Sequence, residues 1–460
     1  MKSHSIFFCR REVCNLSAGL VGLLTTLSCA EPAPWPSFRG PQGKGAVEGA
    51  ATPREWDVSS GKNIRWKADV PGLGLSSPVI WGDKLFITAA VAGGEGEPEQ
   101  VVELKTGLYG DIESSTDRGV HRYRVLCYSV KTGEVLWKNT VHTGKPTIAR
   151  HPKASHANST CTVDAQHVIS CFGAEGLYCH DLDGKLLWKK DLGKLDSGYY
   201  QVPSAQWGYG SSPVIAGDRV LVQADVQQDG FLAAYALSDG KEIWRKGRKE
   251  VPTWSSPLIQ EIGGRRQVIV NGYKHMGGYD YETGEEIWWV MGGGDIPVPT
   301  PVAGHGMIFL TNAHGNLAPV VALKEDVKGN LADVKPGQEP MGTVWSVGKW
   351  GNYMQTPLLT GDLFFCCSDG GIVTCYEART GENYWRERLP KGGYTASPVT
   401  SGGIVYFTGE EGDVQLIEAA KEYKLVGTRS LGAQSMATPA IQDGALFFRT
   451  RNGLICVAVP

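Results

Sequence analysis

Short apolar segments separated by tight-turn residues run along most of the chain and predict an all-β protein. In one clear stretch, segments at 213–216 and 219–223 flank a Gly-Asp pair, which supplies the positive φ that tight hairpins need. A loop then leads to a segment at 231–237, and a Ser-Asp-Gly turn leads to one at 242–245. Their alternating apolar positions predict four antiparallel strands, called A to D, with one buried face.

This four-strand pattern repeats at a nearly fixed spacing. Repeats open on Ser-Pro or Thr-Pro, and 44 residues separate Pro213 from Pro257 and Pro257 from Pro301. The predicted A strands lie near Pro78, Cys161, Pro213, Pro257, Pro301, Pro357, Pro398 and Pro439, and Gly-x-x-x-Trp phrases end at Trp137, Trp188, Trp244, Trp288 and Trp385. A period in the forties built from short strands is typical of propeller blades. We therefore predict an eight-bladed β-propeller of four-stranded antiparallel blades.

The two ends of the chain predict how the ring closes. A phrase at 64–70 matches a D strand although no A, B or C strand precedes it, and the last repeat ends at 455–458 on a C strand. We therefore predict that the N-terminal strand completes the last blade and removes exposed sheet edges. Three repeats depart from the pattern: Cys161 replaces a proline, an insertion lies near 324–343, and the phrase at 423–426 lacks its tryptophan.

Residues 1–30 have the features of an export signal peptide. Arg10 and Arg11 precede an apolar stretch at 16–27, and small residues follow as a cleavage site. The arginine pair also allows a twin-arginine route, and Cys29 could instead carry a lipid anchor. We expect a periplasmic or extracellular protein. No other segment is apolar enough to span a bilayer.

The rest of the chain is expected to form an N-terminal extension at 31–55 and the propeller at 56–460. The 460 residues are 42% hydrophobic and 20% charged, which is ordinary for a protein with a large core. A formal net charge of −3, without a long basic run, argues against a nucleic-acid partner.

The order of strands predicts which face of the propeller carries a site. With strand A innermost, the A–B and C–D turns share one face, and the B–C and D–A loops share the other. The second face receives the long segments 91–122, 142–158, 193–210 and 271–278. Long loops on a rigid scaffold are where binding usually resides, so we expect a protein or small-molecule ligand at this rim.

Two phrases resemble known sequences. Tyr128-Ser129-Val130-Lys131-Thr132-Gly133-Glu134-Val135-Leu136-Trp137 resembles the tryptophan-docking repeat of pyrroloquinoline quinone (PQQ) propellers. Trp35-Pro36-Ser37-Phe38-Arg39-Gly40-Pro41 is similar to the opening of exported PQQ-binding-like β-propeller repeat proteins. The resemblance places the chain with BamB-like assembly factors and the quinoprotein alcohol dehydrogenase-like superfamily. It implies that the repeat tryptophans hold neighbouring blades together. Many such proteins bind no PQQ.

The same resemblance implies a quinone site if the chain is a dehydrogenase. Quinoprotein dehydrogenases hold PQQ in the propeller funnel, often beside a calcium ion. The resemblance would then make Trp207 or Trp254 the stacking partner, and Arg248 and Lys274 the partners of the quinone carboxylates. Asp225 would be the base toward an alcohol. The alternative is that these residues, with Asn271 nearby, only pack or solvate the rim.

Three functions are compatible with the sequence. The favoured prediction is a non-catalytic binding or scaffold module of the bacterial cell envelope, without a catalytic residue, metal or bound cofactor. The main alternative is a PQQ-dependent oxidoreductase acting on an alcohol or sugar, with PQQ and calcium as cofactors. A hydrolase or lyase using rim carboxylates is the third, although no paired-carboxylate motif supports it.

The cysteines and histidines give weaker signals. Cys127, Cys179, Cys375 and Cys456 fall on C strands, which predicts a small buried position between blades. Cys171 could pair with Cys179 and Cys367 with Cys375 across B–C hairpins, whereas a Cys366–Cys367 disulfide would distort a strand. The rim also carries histidines and acidic residues, namely His121, His142, His151, His156, Glu95, Glu97, Glu99, Asp111, Glu113 and Asp117. Since no zinc-ligand spacing is present, we expect no metal site there.

Overall fold

The computed structural model describes residues 33–49, 51–108, 112–335, 338–390 and 392–459. The export signal predicted at 1–30, with Cys29, lies outside these ranges. Within them, the chain forms eight β-sheets and no α-helix. The described part therefore contains no helix long and apolar enough to cross a membrane.

Two strands precede the first complete blade: β1 (Ala46–Val47) and β2 (Ile64–Asp69). Blade one consists of β3 (Val79–Trp81), β4 (Lys84–Ala92), β5 (His121–Ser129) and β6 (Val135–Gly144). Blade two consists of β7 (Thr162–Val163), β8 (Val168–Cys171), β9 (Leu177–His180) and β10 (Leu186–Lys190). Blade three consists of β11 (Val214–Ala216), β12 (Arg219–Ala224), β13 (Phe231–Ala236) and β14 (Glu242–Gly247), and blade four of β15 (Leu258–Ile262), β16 (Arg265–Val270), β17 (Met276–Asp280) and β18 (Glu286–Val290).

The remaining blades follow the same order. Blade five consists of β19 (Val302–Gly304), β20 (Met307–Thr311), β21 (Val320–Lys324) and β23 (Thr343–Val347), with β22 (Gly329–Asn330) in its insertion. Blade six consists of β24 (Leu358–Thr360), β25 (Leu363–Cys367), β26 (Ile372–Glu377) and β27 (Asn383–Arg388), and blade seven of β28 (Val399–Ser401), β29 (Ile404–Thr408), β30 (Asp413–Glu418) and β31 (Leu425–Ser430). Blade eight contains β32 (Ala440–Gln442), β33 (Ala445–Arg449) and β34 (Gly453–Val457), and short 3-10 turns lie at Pro41–Gly43 and Gly173–Glu175.

The N-terminal strand completes the last blade, as predicted. β2 pairs antiparallel with β34, so that Trp66 lies opposite Cys456 and Ala68 opposite Leu454. Blade eight thus contains strands from both ends of the propeller, in the order β2, β34, β33 and β32. The closure confirms an eight-bladed propeller with four antiparallel strands in each blade.

The Ser or Thr that opens each repeat forms a closed ring of hydrogen bonds. The backbone N–H of Ser77 donates to Thr160 Oγ1 at 2.9 Å, and the N–H of Thr160 donates to Ser212 Oγ at 3.0 Å. The same bond then joins Ser212, Ser256, Thr300, Thr356, Ser397 and Thr438 in order, and the N–H of Thr438 returns to Ser77 Oγ. Each hydroxyl therefore links two neighbouring blades, which explains why every repeat begins with this residue type.

Most repeat tryptophans dock their blade onto the next one, whereas Trp288 Nε1 donates to Gln267 within its own blade. The indole Nε1 of Trp188 in blade two donates to the Leu237 carbonyl in blade three at 2.8 Å. Its ring lies against Gly240, where an added Cβ would approach it to 2.7 Å and where φ is +70°. The same contact recurs for Trp66 on Gly133, Trp137 on Gly184, Trp244 on Gly284 and Trp345 on Gly381. The glycine and the tryptophan of the motif thus act in adjacent blades.

Two of the irregular repeats are accommodated by extra contacts. In the blade-five insertion, β22 pairs parallel with β18 and adds a fifth strand to blade four. Blade seven lacks its tryptophan, and Trp56 from the N-terminal region packs where blades seven and eight meet. Trp56 Nε1 donates to the Ser430 carbonyl at 3.1 Å, and its ring lies 5.7 Å from that of Phe448.

The N-terminal extension crosses the inner ends of the A strands near the A–B turns. Trp35 exchanges backbone hydrogen bonds with Ile80 of blade one, and the Val163 N–H of blade two donates to the Pro36 carbonyl at 2.8 Å. Farther along, β1 pairs parallel with β28 of blade seven. The extension therefore spans the central channel on the face opposite the long loops, and Trp35 is completely buried.

The C-strand cysteines occupy buried positions, as predicted. Cys127, Cys179, Cys375 and Cys456 have no exposed surface, and burial raises the pKa of each thiol to about 12. Across the B–C hairpins, Leu177 lies opposite Cys171 and Val373 opposite Cys367, so the cysteines of each candidate pair are not opposite each other. All the cysteines in the described ranges have free thiols.

Candidate functional site

A cavity of about 730 Å³ lies at the centre of the face that carries the B–C and D–A loops. All eight hydroxyl residues of the Ser/Thr ring line its inner end, together with Phe38 of the extension. Loop segments 91–122, 142–158 and 193–210 contribute to its wall, as expected, whereas 271–278 does not. The cavity is thus coaxial with the ring, since every blade contributes a residue to it.

One side of the cavity is an aromatic wall formed by two D–A loops. The rings of Tyr199 and Trp207 are parallel within 7° with centroids 5.9 Å apart, and Trp254 lies 5.8 Å from Trp207. Trp254 Nε1 donates to the Gly208 carbonyl at 2.7 Å, which fixes that indole against the neighbouring loop. Flat apolar surfaces with polar edges bind rings and planar groups by stacking. The wall therefore provides a platform for a flat group.

Two basic side chains that line the cavity pair with carboxylates of neighbouring residues. Lys153 Nζ lies 2.8 Å from Glu410 Oε1, and His314 Nδ1 forms a close contact with the carboxylate of Asp295. Burial raises the pKa of Asp369 and raises that of Tyr353 to about 12. Lys349 and Asp369 also line the cavity, so charged groups remain in its wall.

The candidate residues predicted from the sequence occupy different surroundings. Trp207 and Trp254 line the cavity. Asp225 and Arg248 instead form an ion pair whose side chains are 0% and 1% exposed, with Arg248 Nε 2.6 Å from Asp225 Oδ1. Burial lowers the pKa of Arg248, but the charge of Asp225, its hydrogen bond and other nearby acidic groups together raise the pKa overall, so the guanidinium stays protonated.

The ion pair is fully satisfied within the protein. Gln223 and Thr253 donate to Asp225 Oδ2 at 2.7 and 3.2 Å, and Arg248 Nη1 donates to the Tyr279 hydroxyl at 2.6 Å. An aspartate enclosed in this way does not fit a base that receives a proton from a substrate, nor a calcium ligand. We therefore derive no catalytic step through PQQ at these residues.

The last two candidates also lie apart from the cavity wall. Asn271 Nδ2 donates to the carbonyls of Pro299 and Thr311 at 2.8 and 2.9 Å, so its amide ties blade four to blade five. Lys274 is exposed, and its ammonium lies 5.0 Å from the Tyr200 ring centroid. The cavity does not gather Asp225, Arg248 and Lys274 around Trp207 and Trp254.

Several cavity residues were missed in the sequence. Tyr199 lies in a predicted rim loop, but nothing in its spacing distinguishes it from other loop tyrosines. Short loops of blade five supply His314, Trp350 and Tyr353. They were missed because the prediction from the sequence considered only the long loops. Phe38 was visible only as part of the N-terminal phrase that carried the family resemblance.

The rim histidines separate into three settings. His151 lines the cavity, with its ring 5.5 Å from that of Trp207, and His142 lies 5.5 Å from the Tyr123 ring. His121 and His156 instead meet Asp117, and one potential ligand atom of each of these three residues lies within 4.8 Å of the others.

Comparison with known proteins agrees with this architecture. A solved structure of BamB from Moraxella catarrhalis superposes with a TM-score of 0.52 at 14% identity, covering 80% of this chain and 95% of that one. Quinohemoprotein alcohol dehydrogenase from Comamonas testosteroni superposes with a TM-score of 0.58 at 11% identity, covering 93% and 80% of the two chains. At these identities the likeness concerns the fold. A search of curated proteins found no match.

The repeats, their ring closure and the axial cavity define a β-propeller of PQQ-like repeats. Residues 121–320 and 333–457 match the sequence model of a family described as outer membrane protein assembly factor BamB. Because the match covers more than half of the chain, the protein belongs to this BamB family. The family membership and the fold confirm the resemblance seen in the sequence.

Proposed function

We propose that this protein is an exported binding module of the bacterial cell envelope that receives a segment of a partner protein in its axial cavity. The observation that carries the proposal is the aromatic cavity at the centre of the loop face. Its aromatic wall favours a segment with flat or apolar side chains. The name of the matched family, an outer membrane protein assembly factor, supports a partner in the envelope.

Exposed apolar side chains around the cavity extend the surface available to a partner. Leu108, Ile112, Leu317 and Trp350 are 69%, 48%, 57% and 39% exposed. Three of them also line the cavity, and Leu317 lies between the lining residues Asn316 and Ala318. Exposed apolar patches next to a pocket are typical of protein-binding surfaces. The rim and the cavity therefore form one continuous candidate surface.

Oxidation of an alcohol with PQQ is the second candidate. Trp207 and Trp254 in the cavity favour it, since each could stack on a quinone. The buried pairing of Asp225 with Arg248 opposes it, because neither side chain is free to meet a cofactor. If PQQ together with Ca²⁺ restores dye-linked alcohol oxidation to the purified protein, a dehydrogenase replaces the binding module.

A photo-crosslinking experiment tests the partner-binding proposal. A benzophenone amino acid replaces Leu317 on the loop face in one variant and Lys131, exposed on the C–D turn of blade one, in another. Both variants are produced in the bacterium that encodes the protein and are irradiated in living cells. We expect a discrete crosslinked adduct from position 317 and a much weaker one from position 131, because only the first lies at the cavity.

Position 131 serves as the control for position 317. An adduct from position 317 that is absent at position 131 supports a partner on the loop face. Equal adducts at both positions, or none at position 317, would contradict the proposal. Mass spectrometry of the adduct identifies the partner and the segment that enters the cavity.

A further inference from the structure

Two histidines and an aspartate form a buried cluster on the loop face, outside the axial cavity. Asp117 belongs to the long segment after β4, His121 begins β5, and His156 lies in the loop after β6. Asp117 Oδ2 lies 3.8 Å from His121 Nε2 and 3.7 Å from His156 Nε2. These separations exceed the length of a hydrogen bond, so the three groups face one another without bonding directly.

Both imidazole nitrogens that face the aspartate lack a hydrogen-bond partner. The side chains of His121 and His156 are only 2% and 6% exposed, and neither Nε2 atom has a partner among the described residues. His121 Nδ1 lies 2.9 Å from the Gly119 carbonyl oxygen. Because a carbonyl oxygen only accepts, Nδ1 carries the proton in the neutral ring, which leaves the Nε2 lone pair on the side of Asp117 as a potential metal ligand. A cation between this lone pair and the carboxylate would satisfy both groups.

Neighbouring groups hold the aspartate in place. Arg150 Nε donates to Asp117 Oδ2 at 2.8 Å, and the Ser115 hydroxyl donates to Oδ1. Such outer partners are typical of carboxylates that ligate metals.

We propose that Asp117, His121 and His156 bind one first-row divalent cation, with Zn²⁺ as the best match. Two imidazole nitrogens and one carboxylate oxygen are ligands that Zn²⁺ accepts with water in the fourth position. A tetrahedral zinc with bonds of about 2.0–2.1 Å keeps its ligand atoms about 3.4 Å apart. The two separations from the carboxylate oxygen, 3.7 and 3.8 Å, exceed this value by a few tenths of an ångström, and all three ligand atoms lie within 4.8 Å of one another.

Metal binding at this place would join two loops that form the cavity wall. The segment containing Asp117 also supplies the lining residues Leu108 and Ile112, and the loop containing His156 supplies His151 and Lys153. A cation bound by both segments fixes them relative to each other at the base of the rim. The site thereby controls the shape of the cavity entrance, and this inference does not rest on the identity of the ligand that enters it.

Zinc titration of the purified, untagged protein tests the site. The protein is stripped with a chelator, and its zinc affinity is measured by competition with a chromophoric chelator. We expect one Zn²⁺ per chain and a rise in the midpoint of thermal unfolding, since a ligand that binds only the folded state stabilises it. Substitution His156→Asn should weaken the affinity by about 100-fold or more, because loss of a direct ligand exceeds the effect of losing an outer partner.

The control is the same substitution at a histidine on the opposite face. His305 lies in the A–B turn of blade five, so His305→Asn should leave the zinc affinity unchanged. Asp117→Asn provides a second test should His156→Asn fail to fold by circular dichroism. Absence of stoichiometric zinc binding in the wild-type protein, or wild-type affinity in both cluster variants, overturns the proposal. A cobalt-loaded protein with a four-coordinate absorption spectrum that Asp117→Asn loses supports it independently.

Discussion

Replacing Trp66 with alanine is expected to lower the free energy of unfolding by about 3–5 kcal/mol, the usual cost of truncating a buried tryptophan. Trp66 is only 8% exposed and lies on β2, the strand that closes the ring. Its indole Nε1 donates to the Val130 carbonyl at 2.8 Å, and its ring lies on Gly133 of blade one. The substitution therefore weakens the junction between blade eight and blade one as well as leaving a cavity.

A second tryptophan provides the control for this measurement. Trp289 is only partly buried on β18, where it stacks on His275 with ring centroids 4.6 Å apart. Trp289→Ala should cost about 1 kcal/mol or less, as expected for a position outside a core. Urea unfolding followed by circular dichroism compares the two variants. Equal costs for both would show that the Trp66 contact does not hold the ring together.

The variant Arg248→Met is expected to be destabilised by about 3–5 kcal/mol, because it leaves the charge of Asp225 buried without its partner. Asp225 is completely buried, and Arg248 donates to both of its carboxylate oxygens, at 2.6 and 3.3 Å. Urea unfolding measures this cost. A loss below about 1 kcal/mol would contradict a structural role for the pair.

The double variant Asp225→Asn/Arg248→Met distinguishes a coupled pair from two separate contributions. Removing the second charge should recover much of the stability, since no unpaired charge then remains inside the protein. If both residues served a reaction, the single and double variants would instead lose activity while keeping wild-type stability. Comparing the single and double variants therefore tests whether Asp225 and Arg248 have a structural role or the catalytic and quinone-binding roles that the resemblance implied.

The fold could be predicted because its information is local and repeated. Each blade carries its own turns and alternating strands, and the D-strand phrase around Trp66 without preceding strands revealed the closure. The Ser/Thr ring was visible as a repeated residue, yet its bonds were not, because each bond joins two blades. The sequence likewise could not show that the tryptophan of one repeat packs on the glycine of the next, as Trp188 does on Gly240.

The site was only partly predictable. Trp207 and Trp254 were found because they lie in long loops of the correct face. Asp225 and Arg248 come from the same region, but the sequence does not show that the two side chains turn toward each other inside the protein. Conversely, the spacing of His121 and His156 along the chain is not that of a metal-binding motif. The two side chains come together only because two loops pack beside β5, which the sequence does not show.

The most direct test of the axial cavity as the functional site measures the crosslink from position 317 in two further variants. Trp207→Ala removes the centre of the aromatic wall, whereas Trp289→Ala removes a partly exposed tryptophan of blade four that lies outside the cavity. We expect the adduct to disappear in the Trp207→Ala background and to persist in the Trp289→Ala background. An adduct of equal intensity in both backgrounds would contradict the proposal that the partner enters the cavity.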